Sequence, residues 1–438
     1  MNNKQLAENI FLAGIRSVLP GRLIEDIFSY KGSVLRIGHL SYDLASIKNV
    51  YILGAGKASA AMAHYVEYIL DDRIKDGFIV TKYGFFCKLR YIRVMEAGHP
   101  EPDINSFRAS DEILRIADKA DENDLIICLW SGGGSSLLAD YPAVSSPEDV
   151  ICMYKLLVKS GADIREINTV RKHLSAVKGG FLAKHICPAP YVSILLSDVI
   201  GDHPDIIASG PTVPDDTTFA DAFRVLEDYH LVSEAPVQLV NYIFEGREGK
   251  WPETPATGNP VFNNSAVLLA GSNRTALQAA RSEAEKMGLT TFIITSELCG
   301  EVSDACSFIL NTILEYRRND NIKKPLCLLF GGETTVKVTG KGAGGRNQHL
   351  ALSAAMRLKD IPDVTMLAAG TDGNDGPTDM AGAVVDSDTV ENALAKNIDP
   401  ESYFFAFDSY NFFKLTGGHI HTGPTMTNVM DMIVVIIG

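Results

Sequence analysis

Short apolar runs, often β-branched, recur along the chain, and each is followed by a glycine-rich polar turn and a helical period. The series reads "VYIL" then "GAGKAS", "LIICLW" then "SGGGSS", "VSILL" then "SDVIGD", "AVLLA" then "GSNRT", "LCLLF" then "GGETT", and "TMLAA" then "GTDGND". Buried strands of a parallel sheet read as continuous apolar runs, and their alternation with helices implies right-handed crossover units. The pattern predicts an α/β protein. In open α/β sheets ligands collect outside the carboxyl ends of the strands, so all six turns are candidate sites by position. Their glycines are also what any tight strand-to-helix turn needs.

The first residues, "MNNKQLAENIFLAGIRSVLP", set apolar positions at helical spacing among charges of both signs. They predict an amphipathic helix and not the apolar core of a secretory signal. Two further helical patterns, about 219–229 and 233–244, precede a stretch rich in Gly, Pro, Thr and Asn over 245–265, after which a new strand–turn–helix series begins at Ala266. That stretch is the expected domain boundary. The 438 residues exceed the ~250–300 at which one core usually stops growing, which agrees with two domains.

Composition and charge narrow the partners. The 46% apolar and 21% charged residues are those of an ordinary globular protein. A formal charge of −14 disfavours general attraction to nucleic acid or an anionic membrane, so an anionic substrate must meet local Lys and Arg. The terminal run "MIVVIIG" is seven residues long, far short of the ~20 needed to cross a bilayer. Seven cysteines are scattered without Cys-x-x-Cys spacing, and read as reduced thiols of a cytoplasmic protein.

The turns carry the chemistry. In "GAGKAS" a nicotinamide fingerprint would want Gly or Ala where Ser59 stands and an acidic residue at the end of the next strand, whereas Asp71 and Asp72 precede it. Lys57 would instead add a full charge to the anion-favouring start of a helix, with Gly54 and Gly56 shaping the turn. "LWSGGGSSLL" offers Ser131, Gly132, Gly133, Gly134 and Ser135, a turn whose free N–H groups can surround phosphate oxygens. It matches neither a P-loop nor a Gly-x-Ser-x-Gly elbow. Arg171, Lys172, His173 and Lys178 in "INTVRKHLSAVKGG" are either a cationic site or a solvated helix face. Asp198, Asp202, His203 and Asp205 follow a strand, a placement that suits Mg²⁺. In the second half Arg346 opens a helix after two glycines, where a guanidinium can stabilise a transferring phosphoryl group. Gly332 and Glu333 of "FGGETT" and Asp372, Asp375 and Asp379 of "GTDGNDGPTD" are further candidates for nucleotide, metal or proton. These are the parts phosphoryl transfer uses: positioning, cations and a metal.

The ordered motifs "GAGKASAAMA", "EAGHPEPD", "SGGGSSLL", "EINTVRKHLSAVKGG", "SDVIGDHPDIIASGPTVPD", "GGETTVKVTGKGAGGRNQHLALSAA", "GTDGNDGPTDMAGAVVD" and "TGPTMTNVMD" together resemble the glycerate 2-kinase family over nearly the whole chain. The resemblance implies an N-terminal Rossmann-like domain over 1–245 and a C-terminal α/β MOFRL domain over 260–438, the final segment free to pack back on the first, with the active site in the cleft between them. It implies ATP-dependent phosphorylation of D-glycerate to 2-phosphoglycerate with Mg²⁺. It puts the catalytic lysine on Lys57 and the catalytic arginine on Arg346, with Asp198 as base or metal ligand beside Asp202. On that expectation Arg171 and Lys178 hold the substrate carboxylate, ATP lies along the Gly-rich turns, and a homodimer is possible. The alternatives are an NAD(P)H-dependent hydroxypyruvate reductase, a name that members also carry, and a non-catalytic phosphate-ligand sensor. The chain departs from the family pattern at Met426 and Met430, where Gly and Asn are usual, and at His349 in place of Glu.

Overall fold

The computed structural model describes residues 2–438, which form two compact units, Leu23–Ala270 and a second made of the residues up to Arg22 with Gly271–Gly438. The first is built on a six-stranded sheet in the order Arg93–Ala97, Ile74–Lys82, Val50–Ala55, Leu125–Ser131, Tyr191–Leu196, Ser265–Gly271. The first five strands are parallel. The strands Val50–Ala55, Leu125–Ser131 and Tyr191–Leu196 are buried along their whole length, which is why they read as unbroken apolar runs. From Val50–Ala55 the chain builds outward through the next two strands, then returns to place Leu125–Ser131 on the other side. The pair Val50–Ala55 and Leu125–Ser131 is therefore the switch point of the sheet, where carboxyl-end turns splay apart and leave a crevice.

Four helices on this unit start at side-chain caps. Asp103, Ser146, Asp163 and Thr218 each form a reciprocal capping box, satisfying N–H groups that the helix itself leaves open. The predicted helices near 219–229 and 233–244 are Phe219–Asp228 and Val237–Arg247. They close an apolar layer with Met153, Leu157, Val170 and Leu174. A small antiparallel sheet, Phe28–Lys31, Val34–Ile37 and Leu40–Asp43, completes the unit.

The second unit also holds six strands, ordered Thr290–Leu298, Leu326–Gly332, Asp431–Ile437, Val364–Gly370, Gly382–Asp386, His419–Ile420. Here the expectation of a parallel sheet fails beyond the first pair. The run "MIVVIIG" is a fully buried strand that lies antiparallel between Leu326–Gly332 and Val364–Gly370. An apolar run reports burial on both faces but carries no sign of direction.

The division between units also differs from the expected 245–265 boundary. The strand starting near Ala266 completes the edge of the first sheet and does not open the second domain. The N-terminal helix Asn3–Ser17 belongs to the second unit, not to 1–245. Gly14 lies against the side chain of Met432, where a Cβ would come within 2.9 Å of its sulfur. Lys4 pairs with Asp386 at 2.8 Å, and the Val18 carbonyl accepts from the Thr427 hydroxyl at 2.7 Å. The final strand belongs to the second unit. No helix among the described residues is long and apolar enough to cross a membrane.

Met426 and Met430 both hold positive φ, 63° and 69°, in the left-handed region where a Cβ costs about 1–2 kcal/mol. Met426 is 37% exposed and Met430 is 3% exposed. Met426→Gly should therefore raise unfolding stability by about 0.5–1 kcal/mol in denaturant titration. Met430→Asn should give no net gain, because relief of strain is offset by the lost burial of the methionine.

Candidate active site

The turns at the switch point are tied to each other before any ligand is considered. The Lys57 N–H donates to the Gly132 carbonyl at 2.9 Å, and the Ala58 N–H donates to the Ser131 hydroxyl at 3.0 Å. Ser59, the residue that fails the nicotinamide pattern, is buried and donates to the Leu129 carbonyl at 2.9 Å. Gly56 has φ 139° and lies on Ser131, so a Cβ there would overlap its backbone and hydroxyl. Gly54 is equally constrained, by Leu129 and Ile79 of the neighbouring strands. These two glycines serve the close approach of strand and turn.

The side chains of the predicted site gather on the turn 131–136. Asp198, at the end of Tyr191–Leu196, covers Gly132 so closely that a Cβ would collide with its carboxylate. The Lys57 side chain crosses Gly133, where a Cβ would lie 3.3 Å from Cε. Lys57 has no ion pair among the described residues. Gly134 is pressed by Ala208. The Ser135 hydroxyl shares a 2.7 Å hydrogen bond with Ser209, which donates to the Asn168 side chain at 2.9 Å. Arg171 reaches Ser135 through Nη1 at 3.5 Å and stacks over the Tyr154 ring at 4.3 Å.

The basic run in the helix Ile164–His173 is not a solvated face. Arg171, Lys172, His173 and Lys178 are all at least nine-tenths buried. Lys172 is neutralised by Asp205 at 3.2 Å and Asp215 at 3.1 Å. Lys178 lies wholly inside, donating to the Leu138 carbonyl with Asp140 at 3.7 Å. Burial pushes its ammonium down to about 8 against the pull of Asp140. Its charge is committed to the fold, so the structure does not present Lys178 for a substrate carboxylate. Arg171 has no carboxylate partner, and burial lowers its pKa. Desolvating an unpaired charge costs several kcal/mol, which an incoming anion would offset.

In the second unit Arg346 opens the helix Arg346–Leu358. Its guanidinium is clamped by Asp431 through Nε at 2.6 Å and Nη2 at 3.0 Å, and by Glu333 at 2.6 Å. Burial alone would depress its pKa, but the hydrogen bonds and charge of Asp431, then of Glu333, hold it above the ordinary arginine value. Asp375 caps this helix, accepting from the Asn347 N–H at 3.0 Å and the Gln348 N–H at 2.8 Å. Burial still pushes its carboxyl up to about 6. Gly332, with φ 143°, fits against the Leu298 backbone and sets the turn that carries Glu333. Asp372 accepts from the Asn374 N–H at 3.1 Å, and its carbonyl accepts from Thr425 at 3.2 Å, locking that turn to the loop before Asp431. Asp379 is exposed and accepts from Tyr410 at 3.3 Å.

Sequence reasoning missed Asp431, which lay within a quoted motif but carried no spacing signal to Arg346, 85 residues away. No cluster of three or more His, Cys, Asp or Glu among the described residues could hold a metal alone. Asp202 follows Asp198 on the short turn Ile200–Asp202, at φ 53°.

The first unit thus has the layout of an α/β enzyme that handles anionic, phosphate-bearing ligands at a sheet switch point. Residues 6–244 match the family described as a domain of unknown function (DUF4147), and residues 326–431 match the MOFRL family. The chain is 44% identical to a glycerate 2-kinase of Pyrococcus horikoshii over 89% of this chain and 87% of the relative. It is 40% identical to a D-glycerate 2-kinase of Thermotoga maritima over 98% and 97%. A protein of Agrobacterium vitis named provisionally as a hydroxypyruvate reductase is 39% identical over 88% and 87%. The crystal structure of a Thermotoga maritima glycerate kinase superposes with a TM-score of 0.87 over 99% of each chain. The chain belongs to the glycerate 2-kinase family.

Two substitutions separate site geometry from folding. Gly132→Ala should displace Asp198 and abolish most turnover while circular dichroism stays native. Asp431→Asn should weaken the hold on Arg346 and lower kcat by at least tenfold, measured by steady-state kinetics beside a thermal melt.

Proposed function

We propose that this chain transfers the terminal phosphoryl group of ATP to the 2-hydroxyl of D-glycerate, giving 2-phosphoglycerate and ADP. The observation that carries this is the convergence of two cations without carboxylate partners, Lys57 and Arg171, on a Gly-rich turn that Asp198 also touches. Arg171 holds the glycerate carboxylate; Lys178 supports that site from within the fold through Asp140 and Leu138. Asp198 orients and deprotonates the attacking 2-hydroxyl, and the free N–H groups of the turn 131–136 take phosphate oxygens. Lys57 neutralises charge on the transferring group, and Arg346, fixed in direction by Asp431 and Glu333, donates its remaining N–H groups to that group's oxygens. Gly54, Gly56, Gly332, Glu333 and Asp372 shape the turns along which ATP binds. Mg²⁺, held by Asp198 and Asp202, would neutralise the phosphate oxygens when bound.

A nicotinamide reductase fits less well. The strand Ile74–Lys82 ends in a lysine, where a dinucleotide fold places the acidic residue that binds the ribose. A sensor would need neither an attacking-group base nor a clamped Arg346. All seven cysteines are free, in keeping with an enzyme of the reducing cytoplasm.

The test is a coupled assay of ADP formation with D-glycerate and Mg-ATP, with phosphorus NMR to locate the phosphate. ADP and 2-phosphoglycerate are expected, and no change in NADH absorbance with hydroxypyruvate. Lys57→Ala and Arg346→Ala should each lower kcat about 10²–10⁴-fold. Normal turnover in Lys57→Ala would overturn its role.

A further inference from the structure

One further side chain stands at the anion turn, bonded only to its own backbone. His99 lies between the strand Arg93–Ala97 and the helix Ile104–Ala117, so the parallel register brings it to the same carboxyl edge as Lys57, Gly132 and Asp198. Its ring rests on the apex of the turn. A Cβ at Gly133, where φ is 82°, would lie 2.8 Å from Cδ2 and 2.9 Å from Nε2 of His99, and 3.3 Å from Cε of Lys57. His99 and Lys57 thus flank one glycine, and no residue with a side chain could stand between them.

The segment is fixed from behind. Asp103 accepts from the N–H groups of Gly98, Asn105 and Ser106 and from the Tyr83 hydroxyl at 2.7 Å. The imidazole has no hydrogen bond to another residue among the described residues. Burial, then the charges of Lys57 and Lys82, push it down to about 4. At neutral pH it is an uncharged ring with one N–H and one lone pair. A neutral group adds little to the binding of a triphosphate, but with its N–H on its own backbone the ring keeps a lone pair that can accept from a hydroxyl. Its neighbour Pro100 lines, with Tyr154 and Arg171, a cavity of about 310 Å³.

D-glycerate has three polar groups. With the carboxylate on Arg171 and the attacking 2-hydroxyl on Asp198, the 3-hydroxyl is left. We propose that His99 contacts the substrate through this non-reacting 3-hydroxyl and so selects glycerate over hydroxy acids that lack it. This assignment rests on the kinase function proposed above. A site built around a hydrogen bond to a substrate hydroxyl rejects the analogue without it, because the protein group is then left unpaired.

The probe pair is D-glycerate and D-lactate, which differ by that hydroxyl. For the unaltered chain and for His99→Ala, the KM for D-glycerate, the KM for ATP and the competitive inhibition constant of D-lactate against D-glycerate are measured. The expected result is a rise in the D-glycerate KM on the order of tenfold, with the ATP KM and the D-lactate constant within about twofold. His99→Asn, which keeps a donor and an acceptor, should recover part of the loss, and a thermal melt of each variant confirms folding. An unchanged D-glycerate KM, or equal weakening of D-glycerate and D-lactate, would overturn the role of His99 while leaving the kinase function standing. Absence of ADP release by the unaltered chain would instead remove the kinase function, and the assignment of His99 with it.

Discussion

The site depends on the adjacency of two strands that are far apart in sequence. Val50–Ala55 and Leu125–Ser131 run side by side with a register that pairs Ala55 with Trp130, so the turns that follow must leave the sheet together. Because the chain changes direction across the sheet at this pair, those turns diverge and leave a crevice between them. The contact of Lys57 with the Gly132 carbonyl and the fit of Gly56 on Ser131 tie the two turns together at their base. A substitution that shifted either strand by one residue would move every side chain of the site at once.

Charge is handled in opposite ways in the two units. Arg346 is held by two carboxylates, one of them bidentate, which fixes its direction but leaves it little net charge to offer. Lys57 and Arg171 carry charge that no carboxylate answers. A positioned but neutralised guanidinium gives geometric precision, whereas unanswered cations give attraction. In a protein of net charge −14, such local pools of positive potential decide where an anion can settle.

Much of the first unit was legible in the sequence because fully buried strands and Gly-rich turns leave a local pattern. That pattern alone places Lys57, Asp198 and the turn 131–136 at the carboxyl edge of the sheet, where the parallel register puts them. What escaped had no local signature. The direction of the strand Asp431–Ile437, the placement of the helix Asn3–Ser17 and the pairing of Asp431 with Arg346 are all long-range facts. Lys178 shows the opposite error: a lysine among basic neighbours suggests a ligand, but the sequence does not say that its ammonium points inward. A single histidine after a strand, as His99 is, carries no signal of its own until the parallel register shows which turns it meets.

The second unit also has an unusual order of assembly. Its first helix, Asn3–Ser17, leaves the ribosome before any of the partners it packs on, and the hydrogen bond from Thr427 to Val18 spans 409 positions. The strand that joins the two halves of its sheet is Asp431–Ile437. During synthesis the Leu23–Ala270 unit can fold while this apolar helix waits, unpaired, for residues made much later. The apolar face of Asn3–Ser17 therefore stays unburied by its own unit until residues beyond Gly271 have been made.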